Sequence, residues 1–378
     1  QVWAADPIGG VAVPRAFDFA NGRYTALQTA TYFVSVQMVI MDAGGSAVVA
    51  GLNINAMPSQ DNGLHVVTGS VDNFSTLRIS GTVLLQQDEF VSVWLYTSQD
   101  VSITVSDESS FSCALLETSS GFGADLSASQ AVTTVGWTEV VGWETTGSGG
   151  RSGLFELGSG LDVATGRFTA TVSGVYLVSS QLRIDGADTG TFRMLIGLDG
   201  IPDYDNGLHI AQGNPPSDYA DFSVSGLVEL QRNSFVSVWI YSQDDVRFTV
   251  SSQSGFSCVQ LETASGFGAD LASNQAVVSS VWTEVVHWET AGAGGRAGLF
   301  ALGVGFDAST GRFTARADAV FIASAQVVLE HPSGGAFAMM VAVDGNTDVY
   351  SGMRTVSERA SSGILGLSAS GVVQLQAG

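Results

Sequence analysis

Two stretches of this chain say nearly the same thing. "WTEVVGWETTGSGGRSGLFELGSGLD" begins at Trp137, and "WTEVVHWETAGAGGRAGLFALGVGFD" begins at Trp282, 145 residues later. Cys113 and Cys258 are also 145 residues apart, in "SSFSCALLE" and "SGFSCVQLE". A third segment, "GRYTALQTATYFVSVQM" from Gly22, recurs as "GRFTATVSGVYLVSSQL" from Gly166 and "GRFTARADAVFIASAQV" from Gly311. A period near 145 is too long for a solenoid or propeller repeat and has the size of a domain. The chain of 378 residues therefore holds about three copies of one fold.

The copies read as strands. Phe168, Ala170 and Val172 alternate with polar residues, and the same period of two recurs in "RFTATV", "TFRMLIGLDG", "FVSVWIY" and "GFSCVQLE". Turn signals separate them, Asp-Gly and Asn-Gly among them. No helical period appears. Eight to ten short strands per copy predict an all-β chain of two-sheet sandwiches or jelly rolls.

Composition narrows the role. The chain is 45% hydrophobic and carries a net charge of −22, with Arg as its only cationic residue other than histidine. It lacks the basic footprint that nucleic acid or an anionic membrane surface requires. No apolar run approaches the roughly 20 residues of a spanning helix. "QVWAADPIGG" does not read as a signal peptide. One cysteine per copy predicts buried free thiols at Cys113 and Cys258 rather than a disulfide.

The order of Phe155, Asp162, Gly166, Phe168 and Gly174-Val175-Tyr176, then "LVELQRNSFVSVWIY" and "GFSCVQL", resembles the globular head domain of the complement C1q family. The resemblance covers nearly all of the second copy, most of the first and two-thirds of the third. It departs at Asn233-Ser234 and Asp88-Glu89, where the family has glycine-aspartate. It departs again at Ala319-Val320-Phe321, where the family has Gly-x-Tyr. No collagen-like stalk is present.

The resemblance implies tandem ten-stranded jelly rolls related to the tumour necrosis factor fold. The expected boundaries are 1–118 for the first, 137–262 for the second and 282–378 for a third without its last two strands. Linkers are expected at 119–136 and 263–281. It also implies trimer formation, with Trp94, Trp239, Tyr176, Phe168 and Phe313 as core or trimer-interface aromatics.

Partners would be other C1q-like domains, within the chain or on other chains. The 19 residues between Glu117 and Trp137 reach about 60 Å when extended, against a domain diameter of about 40 Å. The three copies can therefore close on one another or assemble between chains.

Calcium is the one cofactor the resemblance suggests. Asp188 and Asp199 bracket one strand, as do Asp42 and Asn53 in the first copy and Ser333 and Asp344 in the third. Turn chemistry explains the same residues. "DYDNGLH" (Asp203 to His209) reads as a turn rather than a metal site, since one His lacks a second nitrogen or sulfur ligand. Arg151 and Arg296 follow a Gly-rich loop and would face a partner.

No Ser–His–Asp order recurs in both complete regions, and no nucleophile elbow or P-loop occurs, so the chain is expected not to be an enzyme. The expected role is extracellular binding of proteins or glycans by multivalent contact. The alternative is a structural subunit of an extracellular fibre, coat or appendage.

Overall fold

The computed structural model describes residues 16–378 except 19, 42–45, 56–63, 72–73, 98–102, 107, 147–151, 187–189, 201, 203–205, 214–218, 244–246, 264, 278–280, 291–297, 331–336, 346–352 and 358–363. The described residues form strands and no helix. Strand pairing groups most of them into three units, at 17–116, 121–261 and 266–375, the second and third sharing one sheet through Gln212 opposite Leu365.

In the first unit one sheet runs Phe17–Asp18, Arg23–Thr25, Phe90–Thr97, Ser46–Ile54, Leu64–Val71. The facing sheet is built on Ala30–Met41, which pairs with Phe74–Leu85, Thr104–Val105 and Ser110–Leu116. Tyr32, Val34, Val36, Met38 and Ile40 point into the core between the sheets, with Leu77 and Ile79 from across the strand pair. That is the period-two face that the sequence shows.

The second unit repeats the plan. Leu161–Asp162, Arg167–Thr169, Phe235–Ser242, Thr191–Leu198 and Gly207–Gly213 form one sheet, with Gly136–Val140 added on Phe235–Ser242. Gly174–Asp185 organises the other, between Tyr219–Leu230, Gly255–Leu261 and Phe248–Val250. Its core holds Tyr176, Phe168, Phe192, Phe222 and Cys258.

In the third unit Ala319–Glu330 pairs with Ile364–Leu375 along twelve residues. Counterparts of Phe235–Ser242 and Gly255–Leu261 are not among its described strands. Ala319–Glu330 is accordingly half-exposed along its length, whereas Gly174–Asp185 is buried at nine of its twelve positions.

The segments expected as linkers carry strands instead. Gly121–Leu126 pairs with Gly255–Leu261 of the second unit, Phe122 opposite Cys258, and Phe122, Ala124 and Leu126 are buried in that unit's core. Gln130–Val132 pairs with Phe248–Val250. In the third unit Gly266–Gly268 pairs with Phe300–Leu302, and Asp270–Leu271 with Trp288–Glu289. The second unit thus starts near Gly121, not at Trp137. Gly121, Gly123 and Asp125 alternate with Phe122, Ala124 and Leu126, and burial follows that alternation.

The Trp137 segment is not one strand either. It leaves Gly136–Val140, turns at Gly142 (φ 81°), and enters the opposite sheet as Trp143–Glu144. Trp143 lies in the core, and its indole N–H donates to the Val140 carbonyl at 3.0 Å. His287 stands where Gly142 stands, 145 residues on, and keeps the positive φ at 64°.

Candidate functional site: the seam between the units

Gly174–Asp185 and Ala30–Met41 are buried on both faces. A strand of a two-layer sandwich normally shows one face to water, so the second face must be covered by something else. It is covered by the other units.

Strand register stacks the covered faces into layers. The first layer pairs Phe33 with Thr82, Leu177 with Leu227, and Ile322 with Val372, one pair per unit. Phe33, Leu177, Leu116, Phe155 and Val259 form one apolar cluster there, with Leu227, Ile322 and Val372 packed against it. The next layer is all serine: Ser35 with Ser80, Ser179 with Ser225, Ser324 with Ser370. The third pairs Gln37 with Arg78, Gln181 with Ser223, and Gln326 with Ser368.

Hydrogen bonds close these layers into a ring. Ser179 Oγ of the second unit donates to the Ser80 carbonyl of the first at 2.7 Å. Ser35 Oγ of the first donates to the Ser370 carbonyl of the third at 2.7 Å. Gln326 Nε2 of the third donates to the Ser225 carbonyl of the second at 2.8 Å. A second set spans two of the same seams with donor and acceptor units exchanged: the Thr82 N–H of the first unit donates to Ser257 Oγ of the second at 3.4 Å, and the Val372 N–H of the third to Ser112 Oγ of the first at 3.3 Å. The acceptors Ser80, Ser370 and Ser225 are equivalent in the three units, as in a threefold assembly, while the donor at the third seam is Gln326 in place of Ser324.

Glycine loops clasp neighbouring units. The Gly153 carbonyl of the second unit accepts the Leu84 N–H of the first at 3.0 Å, and the Gly298 carbonyl of the third accepts the Glu229 N–H of the second at 3.0 Å. Both glycines have positive φ, 85° and 82°. A Cβ at Gly153 would stand 2.6 Å from Ile54 Cδ1, and one at Gly298 2.7 Å from Leu198 Cδ1. The repeated "GG-R-x-G" run was the sequence signal for these clasps. Arg151 and Arg296 themselves lie outside the described residues. Arg354 of the third unit also pairs with Glu108 of the first, Nη1 to Oε2 2.8 Å.

The predicted residues take these places. Tyr176 and Phe168 belong to the second unit's core, with ring centroids 6.0 Å apart. The Tyr176 hydroxyl donates to the Val172 carbonyl, as Tyr32 donates to Gln28. Phe313 packs against Phe267 and Phe321 within the third unit. Trp94 and Trp239 are neither core nor axial. They sit half-buried on the sheet face turned from the core, each indole N–H donating to the serine two residues before it, Ser92 and Ser237, at 2.9 Å. The core positions on those strands are the neighbours Val93 and Val238.

Cys113 and Cys258 are both free. Burial pushes each thiol above its ordinary value.

Of the calcium candidates, Asp42 and Asp188 lie outside the described residues. Asp199 and Asp344 occupy matching turns with φ of 51° and 54°. Asp199 Oδ1 accepts the Phe235 N–H at 2.9 Å, and its Oδ2 accepts the Ser234 hydroxyl at 3.1 Å. The residue in that place in the first unit is Asn55, not Asn53. Asn55 has φ 56°, and its Oδ1 accepts the Phe90 N–H at 3.0 Å. Asn53 lies instead on the sheet face turned from the core, opposite Ser92, 1% exposed and with neither side-chain polar atom paired. No three His, Cys, Asp or Glu side chains converge among the described residues.

Repeated arginines hold the outer sheets. Arg167 makes a bidentate pair with Glu139 at 2.8 and 2.9 Å, and Arg312 repeats it with Glu284 at the same distances. Their counterpart Arg23 lies over the Phe90 ring, 4.5 Å from its centroid.

Comparison with known proteins finds similarity over one stretch of the chain. A segment of 121 residues is 31% identical to human adipolin, covering 29% of this chain and 40% of that protein. The chain carries a C1q/TNF-like domain. Adipolin of Xenopus tropicalis matches this C1q-like chain at 31% over 114 residues, 28% of the chain and 35% of the relative. The chain thus spans two-fifths or less of the length of these curated relatives. No family model matches the chain. A crystal structure of murine APRIL superposes with a TM-score of 0.29 at 17% identity, covering 38% of this chain and 98% of that one. That superposition adds nothing to what strand pairing already gives.

Proposed function

We propose that this chain is a secreted, non-enzymatic binding protein whose three C1q-like units close into one head and engage protein or glycan partners at several points together. The observation that carries this reading is the ring of inter-unit bonds, Ser179 to Ser80, Ser35 to Ser370 and Gln326 to Ser225. It is closed within one chain. Fusion of the copies fixes their stoichiometry and lets each rim differ, which identical subunits do not allow. Several weak contacts on one rigid head gain avidity without any new contact chemistry. Secretion, protein binding and lack of enzymatic activity are in keeping with the C1q/TNF-like character of the chain.

A second reading is a structural subunit of an extracellular fibre, coat or appendage. It rests on the half-exposed Ala319–Glu330 strand, over which a strand from a neighbouring chain would fit.

Light scattering at micromolar concentration, with a printed glycan array probed by the same sample, separates the two. A compact 39.2 kDa species with saturable binding that heat-unfolded chain lacks supports the head. A mass that climbs with concentration, with filaments in electron micrographs, replaces it with the fibre.

A further inference from the structure

The third layer of the seam breaks the symmetry. Ser223 and Ser368 hold one position in the second and third units, and Arg78 holds it in the first. The Arg78 side chain enters a cavity of about 10 Å³ on the axis, walled by Ser223 and Ser225 of the second unit and Ser368 and Ser370 of the third, beside Gln37 of its own. No carboxylate lines that cavity.

Arg78 Nε is buried without a hydrogen-bond partner, and so are Gln37 Nε2 in the same cavity and Gln181 Nε2 in the same layer. All three are N–H donors. Among the described residues Arg78 has no ion-pair partner. Burial alone acts on it, and lowers its pKa to about 10. At neutral pH the guanidinium therefore stays charged. The residue as a whole is only half-buried, and a charge partly withdrawn from water favours a counter-ion beside it.

We propose that the axial cavity is a binding site for a single monatomic anion of chloride size, held by the unpaired N–H donors of Arg78 and Gln37. Volume sets the size of the occupant: the cavity has room for about one water-sized body. Donors set its sign: Arg78 Nε and Gln37 Nε2 are left without partners, whereas the Ser35, Ser80 and Ser368 hydroxyls already donate to Ser370, Ser225 and Ser223. A water molecule is the competing occupant, because serine oxygens accept its protons, but it leaves the charge unneutralised. The site exists only where the three units meet, so the inference rests on closure of the head within one chain. An anion there would tie the three units through one charge.

The full chain is crystallised and soaked in bromide, and anomalous difference maps are calculated. A peak is expected in the axial cavity within hydrogen-bonding distance of Arg78. In parallel, melting temperatures are compared in sodium chloride and sodium gluconate at equal ionic strength. The wild type is expected to melt about 2 °C or more higher in chloride. Arg78→Ser, which restores the serine of the other two units, is expected to melt alike in both salts. No bromide peak, with equal melting in both salts for the wild type, overturns the site and leaves water there. Light scattering on the same sample tells this failure from failure of the head: a monomer without a halide response refutes only the anion, whereas an assembling chain refutes the closure.

Discussion

Ser179 Oγ lies 2.7 Å from the Ser80 carbonyl, and the same hydroxyl-to-carbonyl distance joins Ser35 to Ser370. These are equivalent bonds across two different seams. At the third seam the donor changes: Gln326, not Ser324, reaches the Ser225 carbonyl. Ser179→Ala therefore leaves a buried acceptor short of a partner and is expected to cost about 1 kcal/mol or somewhat more. Ser324→Ala is expected to stay within about 0.5 kcal/mol. Urea unfolding of the two variants checks the ordering. Equal losses would mean that the ring does not close in solution as it does here.

The glycine clasps give a stronger lever. At Gly153 an added Cβ meets two penalties, a positive φ and a contact 2.6 Å from Ile54 Cδ1. Gly153→Ala is expected to cost about 2 kcal/mol or more, and to loosen the seam between the first and second units. Gly136 is the control. Its φ is 104° but nothing stands within 4 Å of its Cβ position, so Gly136→Ala pays the backbone term alone, about 1 kcal/mol. The two melting temperatures separate the terms, and equal shifts would argue against a tight clasp.

What the sequence revealed and what it hid follow from one physical difference. Core positions such as Tyr32, Val34 and Val36 are apolar at every second place, so the fold class could be read from pattern alone. The seam is built from the alternate places, where Phe33, Ser35 and Gln37 follow one another. A short run of apolar, small and amide residues carries no period that distinguishes a covered face from a wet one. Arg78 looks like a surface residue until the register puts it beside Gln37. The linkers were misread for a related reason: Gly121 and Gly123 space Phe122 and Ala124 so thinly that burial of Phe122 is invisible without its partner Cys258. Spacing also failed at Asn53, since the turn is held by Asn55, two residues further on.

That substitution of Asn55 for Asp199 supplies a test of calcium. Both residues hold a positive φ and accept the N–H of the following strand, from Phe90 and Phe235. Asp199→Asn keeps the acceptor and the turn but removes the charge a calcium ion needs. If the turn is the whole role, Asp199→Asn melts within about 1 °C of wild type, and calcium or a chelator changes neither protein. The C1q resemblance implies the opposite pattern, in which calcium raises the wild-type melting temperature and leaves the variant unchanged. Scanning calorimetry with and without calcium decides between a turn residue and a ligand.

Acid should weaken the fold through a repeated set of turn carboxylates. Asp18 is held below its ordinary value chiefly by the side chain of Asn21, Asp162 by Thr165 and Asp307 by Ser309. Glu284 is held down by Arg312. A carboxyl whose pKa is lower in the folded chain binds fewer protons there than in the unfolded chain, so stability rises with pH across its titration. The contribution is complete above the unfolded values, 3.8 for Asp and 4.5 for Glu, and is lost as pH falls through the lower folded ones. The melting temperature is therefore expected to be insensitive to these groups from about pH 5 to 8 and to decline below about pH 4. In the triple variant Asp18→Asn, Asp162→Asn, Asp307→Asn the amide oxygens still accept the turn N–H groups but no longer titrate. Its melting temperature should fall less steeply than that of wild type between pH 4 and 2.5. Parallel declines for the two proteins would place the acid sensitivity elsewhere.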